Sequence, residues 1–141
     1  MKLKLTRLND QLAFQAANED GQQIRIDASA AAGGQEGLGM RPMEILASSL
    51  ASCASIDVLL ILKKKRIALE AYEVHVSAVR KEAVPAVFET IHLEFVVAGT
   101  DPLEEVGKAV KLSVEKYCSV AGSLHPEIKI TYEVRQEKRY E

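Results

Sequence analysis

Apolar and polar residues alternate with a period of two in several stretches of this chain, and that period belongs to strands. Leu3 and Leu5 alternate with lysines, and Ile24, Ile26 and Ala28 alternate with Arg25 and Asp27. Leu12 to Ala16 reads as a short strand between them, with Asn9-Asp10 and Glu19-Asp20-Gly21 as turns. Further on, Val74, Val76 and Ala78 alternate with Glu73, His75 and Ser77, and Ile91, Leu93, Phe95 and Val97 alternate with Thr90, His92 and Glu94. Val84-Pro85-Ala86 lies between these two, so they read as a hairpin with one wet face. A last strand pairs Ile128, Ile130, Tyr132 and Val134 against Lys129, Thr131 and Glu133.

Two segments have a different period. Pro42 is well placed to open a helix, and Glu44 sits favourably in its first turn. This helix is expected to run to about Lys65, where Lys63-Lys64-Lys65-Arg66 suits the negative helix end. Its middle is apolar or small nearly all round, so it must be covered on most sides. The second helix should start with Asp101 as N-cap and Pro102 at the first position, and should end near Gly122. Val106, Val110, Val114, Cys118 and Ala121 form its stripe. The predicted order is βββ-α-ββ-α-β, an α+β fold with antiparallel sheets packed on two long helices. Residues 1–141 read as a single domain.

Composition changes this picture little. Hydrophobic residues are 48% and charged residues 27%, as in an ordinary globule. A net charge of -2 argues against nucleic acid as the main partner. The run Ile45 to Leu62, with its basic flank, resembles a membrane span, but four serines and Asp57 inside it favour a helix buried in protein. Met1 to Arg7 lacks the apolar run of a signal peptide, and two cysteines are too few for a disulfide-stapled secreted domain, so the expected location is the cytoplasm.

Those cysteines are the candidate chemistry. Cys53 and Cys118 stand 65 residues apart, a spacing that fits neither a zinc knuckle nor a Cys-x-x-Cys motif. They are either two inert core thiols or a nucleophile and its resolving partner. Cys53 lies about three turns into its helix, where the dipole gives little help, and Asp57 on the same face would by itself oppose a thiolate. Cys118 is expected within a turn of its helix end, where the dipole disfavours a thiolate. Glu44 points away from Cys53 in the same chain, and reaches it only from a paired subunit. Gly33-Gly34-Gln35-Glu36-Gly37-Leu38-Gly39 lacks the pattern of a phosphate loop and reads as a connector or pocket rim. His75, His92 and Glu94 read as surface pairing rather than a metal site, and no metal or cofactor is expected.

The stretch Gly39-Met40-Arg41-Pro42-Met43-Glu44-Ile45-Leu46-Ala47-Ser48-Ser49-Leu50-Ala51-Ser52-Cys53-Ala54-Ser55-Ile56-Asp57 resembles the first-cysteine helix of the OsmC/Ohr family. Glu115-Lys116-Tyr117-Cys118-Ser119-Val120, followed by His125-Pro126, resembles its second-cysteine helix. The flavour is the OsmC-like, YhfA-like branch. The resemblance implies an intertwined homodimer with thiol sites at the subunit interface. It implies a stress-defence peroxidase in which Cys53 attacks an organic hydroperoxide, Cys118 resolves the sulfenic acid and a dithiol reductant reopens the disulfide. Two departures stand out. Met43 occupies the position where the family peroxidases carry a glutamate, and no arginine lies near Leu12 to Gln15, where they carry one. Arg25 and Arg41 are the substitute candidates for activating the thiol, with Met43, Glu44 and Asp57 as candidate lining. The competing reading is a non-catalytic dimer that binds a small apolar ligand.

Overall fold

The computed structural model describes residues 1–35, 37–99 and 103–137. It forms two compact units, Met1–Leu46 and Ala47–Glu141. The expected start of the second helix at Asp101 and Pro102, and the end of the polar tail, lie outside the described residues.

The N-terminal unit holds three antiparallel strands in chain order: β1 (Leu3–Arg7), β2 (Phe14–Asn18) and β3 (Gln23–Ile26). β2 starts later than the sequence pattern suggests. The Asn9 side chain accepts the backbone N–H groups of Gln11 at 3.0 Å and Ala13 at 3.3 Å, which holds Leu12 and its neighbours in the turn. Asn18 does the same for Asp20 and Gln22 around Gly21, whose φ of 82° suits glycine. β1 is exposed throughout, so the alternation of Leu3 and Leu5 marks no buried face in this chain. After β3 the glycine-rich loop is tied down by Asp27, which is 2% exposed. Its carboxylate accepts the N–H groups of Ala28 at 2.8 Å and Gln35 at 3.3 Å. The loop is therefore a bonded connector rather than a phosphate cradle.

Helix α1 (Pro42–Lys64) begins in this unit and continues through the C-terminal one. Pro42, Glu44 and the terminal lysines take the positions the sequence assigns them. The C-terminal unit carries a second sheet of β4 (Ala71–Arg80), β5 (Phe88–Ala98) and β6 (Lys129–Gln136), in the order β4-β5-β6. The fold is α+β, as expected, with one difference in strand direction. β4 and β5 pair antiparallel, but β6 runs parallel to β5. The long helical crossover between β5 and β6 permits this, since parallel strands need a connection of about a dozen residues or more.

β5 lies centrally and is the most buried strand. Ile91, Leu93 and Phe95 are fully buried, as are Leu50, Val58 and Leu62 of α1. The crossover holds the largest departure from the sequence pattern. The expected single helix is three pieces: α2 (Leu103–Leu112), a π-helical turn (Ser113–Tyr117) and α3 (Ser119–Ser123). Val106 and Val110 are buried on α2, but the buried residue one turn on is Ser113 rather than Val114.

α1 is covered on one face only. By length and composition it could cross a membrane, with a mean hydropathy of 2.1 over its apolar window, of which 33% is buried within the chain. Ile56, Leu59 and Leu60 are exposed on its other face.

Candidate functional site

Cys53 and Cys118 both belong to the C-terminal unit, and both are free thiols. The fold brings them together: the Cys53 thiol is near enough to Cys118 to act on it by hydrogen bonding and by charge. Cys53 is partly exposed and Cys118 is buried. The side facing solvent is thus the first cysteine.

The crossover's irregularity creates this meeting. The Cys118 N–H donates to the Ser113 carbonyl at 2.8 Å and closes the wide π turn. Cys118 then leaves the helix, with φ -65° and ψ 108°, and caps α3. Its sulfur accepts the Ala121 N–H at 3.4 Å and lies 4.0 Å from the Leu50 carbonyl of α1. Cys118 is therefore not in the last turn of a long helix, as the sequence suggests. It sits at the positive end of a new one. Burial pushes its thiol above the ordinary range. The Ala121 N–H pulls the other way, Cys53 adds to the rise, and the Val120 N–H again lowers it.

Ser113 fastens this turn to α1, and sequence reasoning missed it. Its hydroxyl, fully buried, donates to the Ala54 carbonyl at 2.9 Å, next to Cys53, and lies 3.3 Å from Asp57 Oδ2. The signal was available: Ser113 falls seven residues after Val106, on the buried stripe. Asp57 thus faces a serine hydroxyl of the crossover. Nearby, the Tyr72 phenol donates to Ser55 Oγ at 3.0 Å, and the Tyr132 phenol donates to Glu115 at 2.7 Å in the π turn. Burial is the main reason that both phenols are pushed up to about 12, so both stay protonated.

The other candidates lie in the N-terminal unit. Arg41 is engaged by Glu44, which accepts both its guanidinium and its backbone N–H at 3.0 Å. That is the reciprocal half of a capping box at the start of α1. These bonds, the backbone one first, hold the Glu44 carboxyl below its usual range. Arg25 is exposed on β3, opposite Gln15 of β2, and Met43 is half-buried.

His75 and His92 lie on the second sheet, on β4 and β5. His75 lies 3.1 Å from Glu73 and 3.4 Å from Glu94, while His92 bonds Thr131 at 2.7 Å and lies 3.2 Å from Glu133. Among the described residues no group of three His, Cys, Asp or Glu side chains could hold a metal.

The chain is similar to known proteins in sequence and fold. The family model described as OsmC-like protein matches residues 33–133, a span that contains both cysteines. Protein YhfA of Escherichia coli K12 is 38% identical over 122 residues, covering 86% of this chain and 87% of its own. A crystal structure of an Aquifex aeolicus VF5 protein is 32% identical with a TM-score of 0.78, covering 97% of each chain. An organic hydroperoxide resistance protein of Legionella pneumophila shares the fold at 16% identity and a TM-score of 0.66, covering 92% of this chain and 98% of its own. A family match that spans both cysteines and a relative 38% identical over most of the chain lead to one assignment: this chain belongs to the OsmC-like family.

Proposed function

We propose that the protein is a thiol-dependent peroxidase that reduces organic hydroperoxides in stress defence. The observation that carries this reading is the convergence of a partly exposed thiol and a buried one within a single unit. The Cys53 thiolate attacks the terminal oxygen of ROOH, the O–O bond breaks, and the products are Cys53–SOH and the alcohol ROH. The Cys118 thiol then attacks the sulfenic sulfur, forming the disulfide and releasing water. An external dithiol reopens the disulfide by exchange and is itself oxidised. No metal or cofactor takes part in this sequence. Family membership supports the reading, and a hydroperoxide-resistance protein shares the fold.

The active form in this proposal is a cytoplasmic homodimer, in which 1–141 acts as one functional domain. The exposed apolar face of α1 around Ile56 and Leu60 is the surface that favours pairing. Ile56→Glu should shift the protein from dimer to monomer in sedimentation, and a wild-type monomer at micromolar concentration would remove this part of the proposal. Arg25 and Arg41 remain the candidate cations for Cys53, each tested by change to Ala and the rate of thiol alkylation at neutral pH.

The deciding experiment is cumene hydroperoxide consumption with dihydrolipoamide or dithiothreitol. Wild type should turn over, and Cys53→Ser should fall to the rate without protein. Equal rates in the two would leave the second reading, a non-catalytic dimer that binds a small apolar ligand, favoured by Met43 and by the missing arginine near Leu12 to Gln15.

A further inference from the structure

A cleft at the far end of α1 has no part in the thiol chemistry. It is an open cleft of about 540 Å³, walled by Leu59, Leu62, Ile67, Leu69 and Tyr72. Neither cysteine lines it. Leu59 and Leu62 stand about 9 and 14 Å along the helix axis from Cys53 at ~1.5 Å per residue. Its volume falls within the roughly 300–1,000 Å³ range of small-molecule sites. The Tyr72 phenol is already spent on Ser55, so this residue presents a ring to the cleft's wall rather than a free hydroxyl.

The rim is cationic. Lys63 and Arg66 line it, with Glu70 as the one acidic residue, so the lining carries a net charge of +1. Lys65, between them, is engaged by Glu105. Among the described residues, neither Lys63 nor Arg66 has an ion-pair partner.

Arg66 is held at the rim in a conformation its side chain does not favour. The Ile67 N–H donates to the Leu62 carbonyl at 3.0 Å, and the Arg66 N–H donates to the Lys63 carbonyl at 3.1 Å. These two bonds make a Schellman cap, whose left-handed position is normally glycine. Here Arg66 fills it with φ 59°, the one non-glycine residue with positive φ among those described. Glycine is the usual residue at this cap position because it adopts positive φ without strain. An arginine in that position adds a charged fork at the mouth of an apolar cleft.

We propose that this cleft binds a medium-chain carboxylate, with its alkyl chain against Leu59, Leu62, Ile67 and Leu69 and its headgroup on Arg66 and Lys63. The net charge of +1 matches a monoanion, and the planar guanidinium matches a carboxylate bidentately. Apolar walls require a chain rather than a small anion.

Calorimetric titration of the full chain with decanoate tests this. Decanoate should bind at one per chain, while acetate and 1-decanol each bind at least about tenfold more weakly, having lost the chain or the charge-assisted bonds. Arg66→Gly should weaken decanoate about tenfold while the thermal midpoint stays level or rises, because glycine suits the cap. Arg66→Lys should keep most of the affinity. Ala68→Trp, at a lining position, should block the cleft. Cys53→Ser should bind decanoate as wild type does, which keeps this result separate from the fate of the peroxidase reading. No decanoate binding, as when a second copy fills the cleft, would overturn the proposal. So would equal affinity in Arg66→Gly, or a loss of binding in Cys53→Ser.

Discussion

The two cysteine-bearing segments are built in opposite ways. α1 is one uninterrupted helix of 23 residues, with Cys53 in its middle on a partly exposed edge. The segment carrying Cys118 is broken twice within 21 residues, and Cys118 occupies the break. In a continuous helix every N–H beyond the first turn is already bonded, so a thiol there finds no backbone donor. At a helix start those donors are free, and the Cys118 sulfur takes the one from Ala121. The regular segment therefore presents a thiol to solvent, while the irregular one holds a buried thiol and supplies it with a donor. In the proposed reaction, the division of labour between attacking and resolving sulfurs would follow from this backbone geometry more than from the residues beside each cysteine.

The largest expected effect separates the two sulfurs chemically. Cys118→Ser should still consume about one equivalent of cumene hydroperoxide per chain and then stop, with Cys53 recovered as sulfenic acid. Cys53→Ser should consume none. In wild type, mass mapping after one equivalent should find the Cys53 and Cys118 peptides joined. Identical behaviour of the two variants would erase the distinction drawn here.

Next in size is the anchor of the broken segment. Ser113→Ala removes the hydroxyl that ties the π turn to the Ala54 carbonyl beside Cys53. The Ala54 carbonyl keeps its helical donor within α1, so losing this one buried bond costs about 0.5–1.5 kcal/mol. Disulfide formation should slow by about tenfold as Cys118 loses its fixed position, while alkylation of Cys53, which sits on the intact helix, should change little. Parallel loss of both rates would mean that Ser113 supports the unit as a whole, rather than the position of one sulfur.

What the sequence revealed follows the same division. α1 was legible to within a residue, because Pro42, Glu44 and the terminal lysines are local signals. β5 was equally legible, since a half-buried strand writes its burial as alternation, and Ile91, Leu93 and Phe95 are fully buried. The break at Ser113–Cys118 was not. Nothing local forbids a helix there, and the π turn depends on a bond to Ala54, 59 positions away. The parallel direction of β6 was hidden for the same reason, as the strand pattern of Ile130, Tyr132 and Val134 is indifferent to pairing direction. Both cysteines were identified as a pair, but their approach rests on this long-range packing.

A smaller effect lies in the alkaline limb of stability. Burial raises the folded Cys118 thiol above its ordinary value of 9.0. The unfolded chain therefore gives up this proton first, and stability is lost as pH rises from about 9 through the folded value. Below pH 9 the contribution is fully present. Tyr72 and Tyr132, raised from 10.0 to about 12, steepen the loss above pH 10. Denaturant melts at pH 8 and 10 should show a smaller decline in Cys118→Ala than in wild type, while Cys53→Ala lowers the slope less.

The smallest effect belongs at the front of the regular segment. Glu44 caps α1 by accepting the Arg41 backbone N–H and guanidinium, and both groups are about half exposed. Exposed pairs of this kind contribute little, and salt screens them. The carboxyl is held below its ordinary value of 4.5, so what it contributes is present above pH 4.5 and fades as pH falls through the folded value. Glu44→Gln should therefore differ from wild type slightly at pH 7, less in 1 M salt, and not at all well below pH 4.5. Its thermal midpoint should move far less than that of Ser113→Ala. A continuous helix has many bonds to share the loss of one cap, whereas the π turn of the broken segment is fastened to α1 by the buried Ser113 hydroxyl. If Glu44→Gln proved as costly as Ser113→Ala, the contrast between a self-supporting α1 and a packing-dependent crossover would not hold.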